Sequence, residues 1–353
     1  MEKNMLELNN LDLAVKLLKK QNEMYQPTSF WAEASHQINK EIIEVGVEQF
    51  RRTPTALSFF VPGYGPPTSG LSENQVDSLL QNWETAYPKD KKSKQTLKHF
   101  LTGKQSALSD YRVFLASYQK NKLPALHNFS ESTYGQPVEQ FEWDGKRYSR
   151  SALNYLLGMS FLKQHLDHEI PKTILEIGGG FGTLGEIWSQ AGIENWKYID
   201  IDIPPTQFVA DYYLKSILGS ENVTSFEEVK DHETIDIKKL KPASVLCSWQ
   251  IEHLVGEVDL FVNFISFQEM EPHVVKNYLT HVERLNTKWI LLRNMREGKQ
   301  IQKDGHVGVR TPIRSDDYVS MLPNYDFVES NVHPYGFETV DGFHSELQLF
   351  KRK

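Results

Sequence analysis

Residues 173–182 of this 353-residue chain read Thr-Ile-Leu-Glu-Ile-Gly-Gly-Gly-Phe-Gly, and this stretch decides the fold. The apolar run Thr173–Ile177 ends at glycines, which predicts a short buried strand. Because glycine has no Cβ, the turn that follows lets the backbone come within contact distance of a ligand. A helix is predicted over Thr183–Ala191, and its N-terminus offers unpaired N–H groups to an acceptor. The sequence therefore predicts a strand, a ligand-binding turn and a helix.

Acidic residues stand on both sides of this turn. Glu176 lies two residues before Gly178, still on the strand, and a carboxylate there suits the free amino group of S-adenosylmethionine (SAM). Trp196–Asp202 is predicted as a second strand, on which Asp200 and Asp202 share a face because side chains alternate. A carboxylate at that strand tip accepts hydrogen bonds from both ribose hydroxyls of an adenosine. Asp202 is the first choice because it lies nearer the tip.

The same glycines allow a second register. The segment Gly180–Gly185 matches the G-x-G-x-x-G pattern of dinucleotide-binding folds, and an acid follows about 20 residues later. In that register the strand should continue to residue 179, whereas the apolar run stops at Ile177. The sequence therefore favours SAM over a nicotinamide cofactor, while an NAD(P)-dependent Rossmann oxidoreductase and a purely structural turn stay open.

Strands and helices alternate from Thr173 onward. Asp326–Val332 and Glu346–Lys351 lie close enough in sequence to form an antiparallel pair. We therefore predict an α/β fold with a doubly wound, Rossmann-like, seven-stranded sheet whose C-terminal strand is antiparallel, preceded by a mainly helical N-terminal region. The remaining predicted strands and helices are Thr206–Leu218, Ser244–Ser248, Val258–Ile265, Pro272–Leu285 and Trp289–Asn294.

The chain is predicted to divide into residues 1–130, a mainly helical cap that shapes an acceptor site, and residues 131–353, the catalytic domain. Apolar positions at a helical period predict a helix over Leu11–Met24. The loop Phe59–Gly70 combines aromatic residues with prolines and glycines and resembles a binding loop. A role of the cap in substrate binding is therefore expected.

Composition argues against several classes of protein. The net charge of −7 lacks the broad basic footprint that nucleic-acid binding needs. Cys247 is the only cysteine, which excludes an intrachain disulfide and a thiolate zinc cluster. No stretch approaches the roughly 20 apolar residues of a membrane span, and the first residues lack a signal peptide's apolar run. We expect a soluble, cytoplasmic protein with a small-molecule or glycan substrate, and its oligomeric state stays open.

This chain resembles the class I SAM-dependent methyltransferases and, more narrowly, the bacterial family of sugar O-methyltransferases. The resemblance covers roughly residues 130–353, and the segments that carry it are Ile174–Gly182, Ile201–Pro204, Tyr212–Leu214 and Val258–Met270. It implies SAM as cofactor and methyl transfer to a hydroxyl of a sugar or glycoconjugate, such as a polysaccharide, lipopolysaccharide or glycosylated metabolite. Methyl transfer to a non-sugar small molecule is the alternative.

The resemblance also places the cofactor residues. Gln250–Leu254 is similar to a segment that follows the fourth strand of many small-molecule methyltransferases, but no helix fits before Val258. Val258–Ile265 is therefore predicted as the fourth strand, and the residues after the third strand would lie near the adenine by analogy. The predicted cofactor-binding residues are Glu176, Gly178, Gly179, Gly180, Gly182, Asp200, Asp202, Ser248, Trp249 and Gln250.

A sugar hydroxyl is barely acidic, so a positioned base should add about 10²–10⁴-fold to the rate. By the same analogy Ser266–Met270 would face the transferring methyl, and Glu269 is its candidate base. The histidines His253, His306 and His344 are further candidates. Capping of a helix by Glu269, and exposed loop positions for the histidines, stay open as structural alternatives.

Two further possibilities concern the site as a whole. A divalent metal that acidifies the hydroxyl stays open, but acids and histidines show no compact ligand spacing, so no metal-binding residue is predicted. A catalytically inactive SAM-binding subunit is also compatible with the glycine turn.

Overall fold

The structure, a computed structural model, describes residues 2–66, 68–166, 169–303 and 308–353. Before Thr173 the chain forms mainly helices and one hairpin. These elements are α1 (Glu2–Leu18), α2 (Ser29–Val45), α3 (Pro54–Phe59), α4 (Glu73–Ala86), α5 (Lys91–Leu101), α6 (Lys104–Ser117), β1 (Phe141–Trp143), β2 (Lys146–Tyr148) and α7 (Arg150–His165). None of the described helices is long and apolar enough to cross a membrane.

From Thr173 onward strands and helices alternate. The strands are β3 (Thr173–Ile177), β4 (Lys197–Asp202), β5 (Val223–Ser225), β6 (Ile235–Asp236), β7 (Ala243–Cys247), β8 (Leu254–Val255), β9 (Leu260–Phe264), β10 (Trp289–Met295), β11 (Tyr325–Asn331), β12 (Phe337–Glu338) and β13 (His344–Arg352). The helices are α8 (Thr183–Ser189), α9 (Thr206–Leu218), α10 (Phe226–Val229), α11 (Pro272–Arg284) and α12 (Ser315–Met321).

The main sheet has the order β11-β13-β10-β9-β3-β4-β7-β5, with β12 paired to β13. Six neighbouring strands run parallel, in the spatial order β10, β9, β3, β4, β7 and β5. Strand β13 is antiparallel to both β10 and β11. Strands β7 and β9 are buried along their whole length, because helices cover a parallel sheet on both faces. The doubly wound α/β fold with an antiparallel C-terminal strand is therefore confirmed.

The sheet is larger than predicted. The sequence predicts seven strands, but β5 and β12 bring the sheet to nine in the described part of the chain. These two strands are three and two residues long, too short to show a periodic pattern. The predicted fourth strand is β9, which lies between β3 and β10.

The connection from β7 to β9 crosses two strands without an α-helix. It consists of a 3₁₀ turn over Ser248–His253 and the short strand β8, which pairs with β6. The chain therefore runs from β3 to one side of the sheet through β4 and β7, and then returns to the other side through β9. Strand order reverses between β3 and β9, which is where a doubly wound sheet opens a ligand crevice.

The N-terminal helices pack against the sheet and share its core. The buried cluster on one face joins Ala34 of α2, Phe114 of α6 and Leu347 of β13. The predicted helix over Leu11–Met24 is wrong at both ends, since α1 starts earlier and stops at Leu18. A 3₁₀ turn follows, because the Asn22 side chain accepts a hydrogen bond from the Met24 N–H and redirects the chain.

Candidate functional site

A cleft opens at the carboxyl ends of β3 and β9, at the point where strand order reverses. Its empty space, counted to the open mouth, is about 1020 Å³. The glycine turn forms part of the lining, together with the end of β4 and the residues that follow β9. The N-terminal region contributes Gln26, Pro27, Thr28, Trp31, Phe59, Phe60 and Pro62.

The glycine turn has a backbone that other residues rarely adopt. Gly178, Gly180 and Gly182 have φ angles of 72°, 64° and 89°. A Cβ on Gly179 would lie 2.6 Å from an Asp200 carboxylate oxygen, so packing requires glycine there. A Cβ on Gly180 would meet only Phe60, at 3.8 Å, and both residues line the cleft. The turn is therefore closely packed underneath and leaves room on its cleft side.

Glu176 is fully buried and does not line the cleft. Its two carboxylate oxygens accept hydrogen bonds from the hydroxyls of Tyr155 and Tyr198, each at 2.6 Å. Burial raises the pKa of Glu176 to about 7, although both hydrogen bonds act in the opposite direction. Glu176 therefore ties β3 to α7 and β4, and contact with a cofactor amino group stays a prediction.

Asp200 and Asp202 share a face of β4, but only Asp202 lines the cleft. Asp200 is fully buried and accepts the Gly179 N–H at 3.2 Å. Asp202 accepts the N–H groups of Gly180 at 3.2 Å and Ile203 at 2.7 Å. Burial raises the pKa of Asp202 to about 7, and burial together with the nearby acids raises that of Asp200 well above its ordinary value. Of the two acids, Asp202 is therefore the one placed to contact a ligand in the cleft, and its role as ribose ligand stays a prediction.

The residues after β7 lie outside the cleft. Ser248 is buried and donates its hydroxyl hydrogen to the Tyr25 carbonyl at 2.9 Å. The Gln250 side chain accepts the Cys247 N–H at 2.9 Å, and Trp249 is buried beside Phe226. Contact of these residues with adenine would need a different arrangement of the segment around Tyr25, and it stays a prediction.

That segment, Asn22–Trp31, forms a strap across the carboxyl edge of the sheet. The Tyr25 hydroxyl donates to Glu252 at 2.7 Å and lies 2.9 Å from His281 Nε2. The Thr28 hydroxyl donates to the Glu269 carbonyl at 2.9 Å. Because four strap residues line the cleft, the strap closes it on one side.

Glu269 lines the cleft where the sequence places it, but its carboxylate is already engaged. One oxygen accepts from Lys299 Nζ and the other from the Trp31 indole N–H, both at 2.9 Å. The side chain is 9% exposed, and Lys299 also lies over the Phe30 ring. Glu269 therefore links the strap to the loop after β10, and a role as base requires release of one of these contacts.

The candidate histidines do not come together at the cleft. His253 lies beside the Glu233 carbonyl at 3.1 Å, and His344 pairs with Glu297 at 2.6 Å; neither lines the cleft. His306 lies outside the described residues. Across residues 2–66, 68–166, 169–303 and 308–353, no group of three His, Cys, Asp or Glu side chains is placed to hold a metal ion.

Sequence reasoning missed several residues of the cleft. Trp31, Ser151, Asn154 and Tyr155 line it, although they lie far from the glycine turn in sequence. Trp31 resembles an ordinary helix-packing aromatic in the sequence, and Ser151 and Asn154 resemble ordinary residues near the start of a helix. Only the loop Phe59–Gly70 gave a signal, since its first two residues do line the cleft.

No protein-family model matches this chain, and no curated protein matches it. Among solved structures, a SAM-dependent methyltransferase from Aquifex aeolicus matches 57% of this chain and 93% of its own, with 16% identity and a TM-score of 0.37. The magnesium protoporphyrin IX methyltransferase of Synechocystis PCC 6803 with bound SAM matches 57% and 81%, with 13% identity and a TM-score of 0.38. A SAM-dependent methyltransferase from Leishmania major matches 57% and 72%, with 11% identity and a TM-score of 0.39. Identities this low bear on the fold alone.

Proposed function

We propose that this chain is a SAM-dependent methyltransferase. The observation that carries the proposal is the cleft at the β3–β9 reversal, where an open glycine turn and the Asp202 carboxylate face the same space. Doubly wound sheets bind their ligands at such crevices. Gly180 leaves room for a ligand against the backbone, and Asp202 offers acceptor oxygens to ribose hydroxyls.

The charge of the cleft supports a cationic cofactor. Asp202 and Glu269 line the cleft, and Glu176 and Asp200 lie directly behind the glycine turn. SAM carries a sulfonium and an ammonium group, and when bound it supplies a methyl group already activated for transfer. A nicotinamide dinucleotide carries an anionic pyrophosphate instead, which Asp202 would repel at pH values above its pKa of about 7.

We further propose a hydroxyl of a sugar or another small molecule as the methyl acceptor. Trp31 and Phe59 lie 5.4 Å apart between ring centroids and line the cleft, where these aromatic side chains would contact the apolar side of a ring. In intramolecular model reactions, correct orientation of the reacting groups lowers the activation barrier by about 7–11 kcal/mol. Binding of both substrates in this cleft would provide the same kind of effect. The general base is proposed to be Glu269 after release from Lys299.

Calorimetric titration of the purified chain tests the cofactor assignment. We expect binding of SAM and of its product S-adenosylhomocysteine, and none of NAD⁺ or NADPH. Gly180→Ala should abolish this binding, because its Cβ would occupy the cleft side of the turn. Gly145→Ala is the matched control, since Gly145 also has a positive φ of 72° and open space around its Cβ.

Binding of NAD⁺ without SAM would refute the proposal. Equal SAM affinity in a folded Gly180→Ala protein would remove the glycine turn from the site. Mass spectrometry of acceptor panels incubated with SAM then tests the acceptor: a sugar or small-molecule hydroxyl should gain one methyl group, whereas methylation confined to nitrogen or carbon acceptors would contradict the O-methyl proposal.

A further inference from the structure

The first two turns of α7 contribute unpartnered hydrogen-bond donors to the cleft. Ser151 and Asn154 lie three residues apart, on one face of the helix, and both line the cleft. Ser151 is 7% exposed, and its hydroxyl has no hydrogen-bond partner among the described residues. The N-cap Ser149 accepts the Ala152 N–H at 3.2 Å, so the helix starts beside these two side chains.

Arg293 fixes the orientation of the Asn154 amide. The Arg293 guanidinium donates a hydrogen bond to Asn154 Oδ1. Because arginine only donates, Asn154 must turn its oxygen toward Arg293 and its NH₂ group away from it. No described residue accepts a hydrogen bond from that NH₂ group. The Asn154 NH₂ group is therefore the second unpartnered donor near the start of α7, and Arg293 fixes its orientation.

A buried positive charge, that of Arg293, lies beside this turn. Arg293 is fully buried, donates also to the Tyr335 carbonyl at 2.7 Å and lies over the Phe264 ring. Among the described residues no carboxylate oxygen lies within 4.0 Å of its guanidinium, although Asp110 is close enough to influence its pKa. A helix N-terminus adds about half a positive charge. Unpartnered donors beside a buried guanidinium suit an anionic group.

We propose that Ser151 and Asn154 bind the α-carboxylate of the methionine moiety of SAM. This inference rests on the proposed function. Asp202 ends β4, whereas Arg293 belongs to β10, which lies beyond β3 and β9. The α7 donors therefore stand across the glycine turn from the ribose ligand. An elongated cofactor with a ribose diol toward one end and its single carboxylate at the other matches this arrangement.

Two ligands separate this role from any other. S-adenosylhomocysteine carries the carboxylate, whereas 5′-methylthioadenosine keeps the adenosine and lacks the amino-acid moiety. Calorimetry should show that Asn154→Asp weakens S-adenosylhomocysteine binding about 10–100-fold, as expected for a lost charge-assisted hydrogen bond with added repulsion. Ser151→Ala should weaken it about 10-fold. Both variants should bind 5′-methylthioadenosine within about 2-fold of the wild type, because the adenosine contacts are unchanged.

The variants are chosen to fold. Asn154→Asp keeps an acceptor for Arg293, and Asn128→Asp makes the same change at an exposed position away from the cleft. The inference would be overturned if both variants lost affinity equally for the two ligands. It would also be overturned if the affinity for S-adenosylhomocysteine were unchanged while the KM for the acceptor rose, because Ser151 and Asn154 would then bind the acceptor. A wild-type chain that binds neither ligand would refute the proposed function and this inference with it.

Discussion

Three acids meet at the ends of β3 and β4, and each has different partners. Two tyrosine hydroxyls hold Glu176, a backbone N–H holds Asp200, and Asp202 alone lines the cleft. The sequence predicts correctly that Asp200 and Asp202 share a face. The alternation of side chains along a strand predicts the face of the sheet on which a residue lies. It does not predict which residue of the strand borders the cleft, so it could not separate the roles of Asp200 and Asp202.

The first prediction at this scale concerns pH. Asp202 has a pKa of about 7 through burial, and its ionised form is the better acceptor for ribose hydroxyls. Affinity for S-adenosylhomocysteine should therefore fall about tenfold as pH is lowered from 8 to 6, because the ionised fraction falls by that factor. Calorimetry at a series of pH values measures this.

Stability without ligand should change in the opposite direction. The folded pKa of Asp202 lies above its value of about 4 in the unfolded chain, so the folded state holds a proton that the unfolded state has lost between pH 4 and 7. The contribution of Asp202 to the free energy of unfolding therefore falls as pH rises through this window. Asp202→Asn should flatten both profiles. An affinity that stays pH-dependent in that variant would assign the titration to Glu176 or Asp200.

At the scale of elements, the strap explains why the cleft could not be derived from the sheet alone. A strand, a glycine turn and a helix each depend on residues that are close together in the sequence, so their pattern can be predicted from it. The strap reaches the sheet through contacts between residues more than 200 positions apart, such as Tyr25 with Glu252 and Trp31 with Glu269. No local pattern specifies such pairs, so the sequence does not show that the Glu269 carboxylate already has hydrogen-bond partners.

The second prediction tests Glu269 as the link between the strap and the sheet. Glu269→Gln removes the charge that pairs with the largely buried Lys299, and it should lower the free energy of unfolding by about 1.5–3 kcal/mol. The looser strap should also speed dissociation of S-adenosylhomocysteine. Denaturant unfolding and stopped-flow release measure the two effects. Glu257→Gln, at an exposed position, is the control and should change neither.

Catalysis distinguishes this link from the proposed base. A linking role predicts that kcat of the saturated Glu269→Gln variant stays within a few-fold of the wild type. The base role proposed above predicts instead a fall of about 100-fold or more in kcat, in addition to any change in stability or ligand release. In that case the pair with Lys299 would have to open during each turnover.

For the whole molecule, buried contacts join residues on the two sides of the domain boundary predicted near residue 130. Arg51 and Glu131 form an ion pair at 2.8 Å with both side chains at most 1% exposed, one on each side of that boundary. Helical periodicity in residues 1–130 could predict helices but not the surface against which they pack. Their apolar faces belong to the same buried cluster as the sheet, a property that only the fold shows.

The last prediction is that residues 1–130 and the sheet unfold together. Arg51→Met leaves the buried Glu131 without its charge partner, which should cost about 3–5 kcal/mol. Hydrogen exchange in urea, read by mass spectrometry, should show α2 and β9 losing protection at the same urea concentration, and Arg51→Met should lower that concentration equally for both. Lys16→Met is the control, because it breaks an exposed pair with Asp12 worth less than about 1 kcal/mol. If α2 alone loses protection early, residues 1–130 form a separate domain, and the cleft would then be completed only when that domain docks.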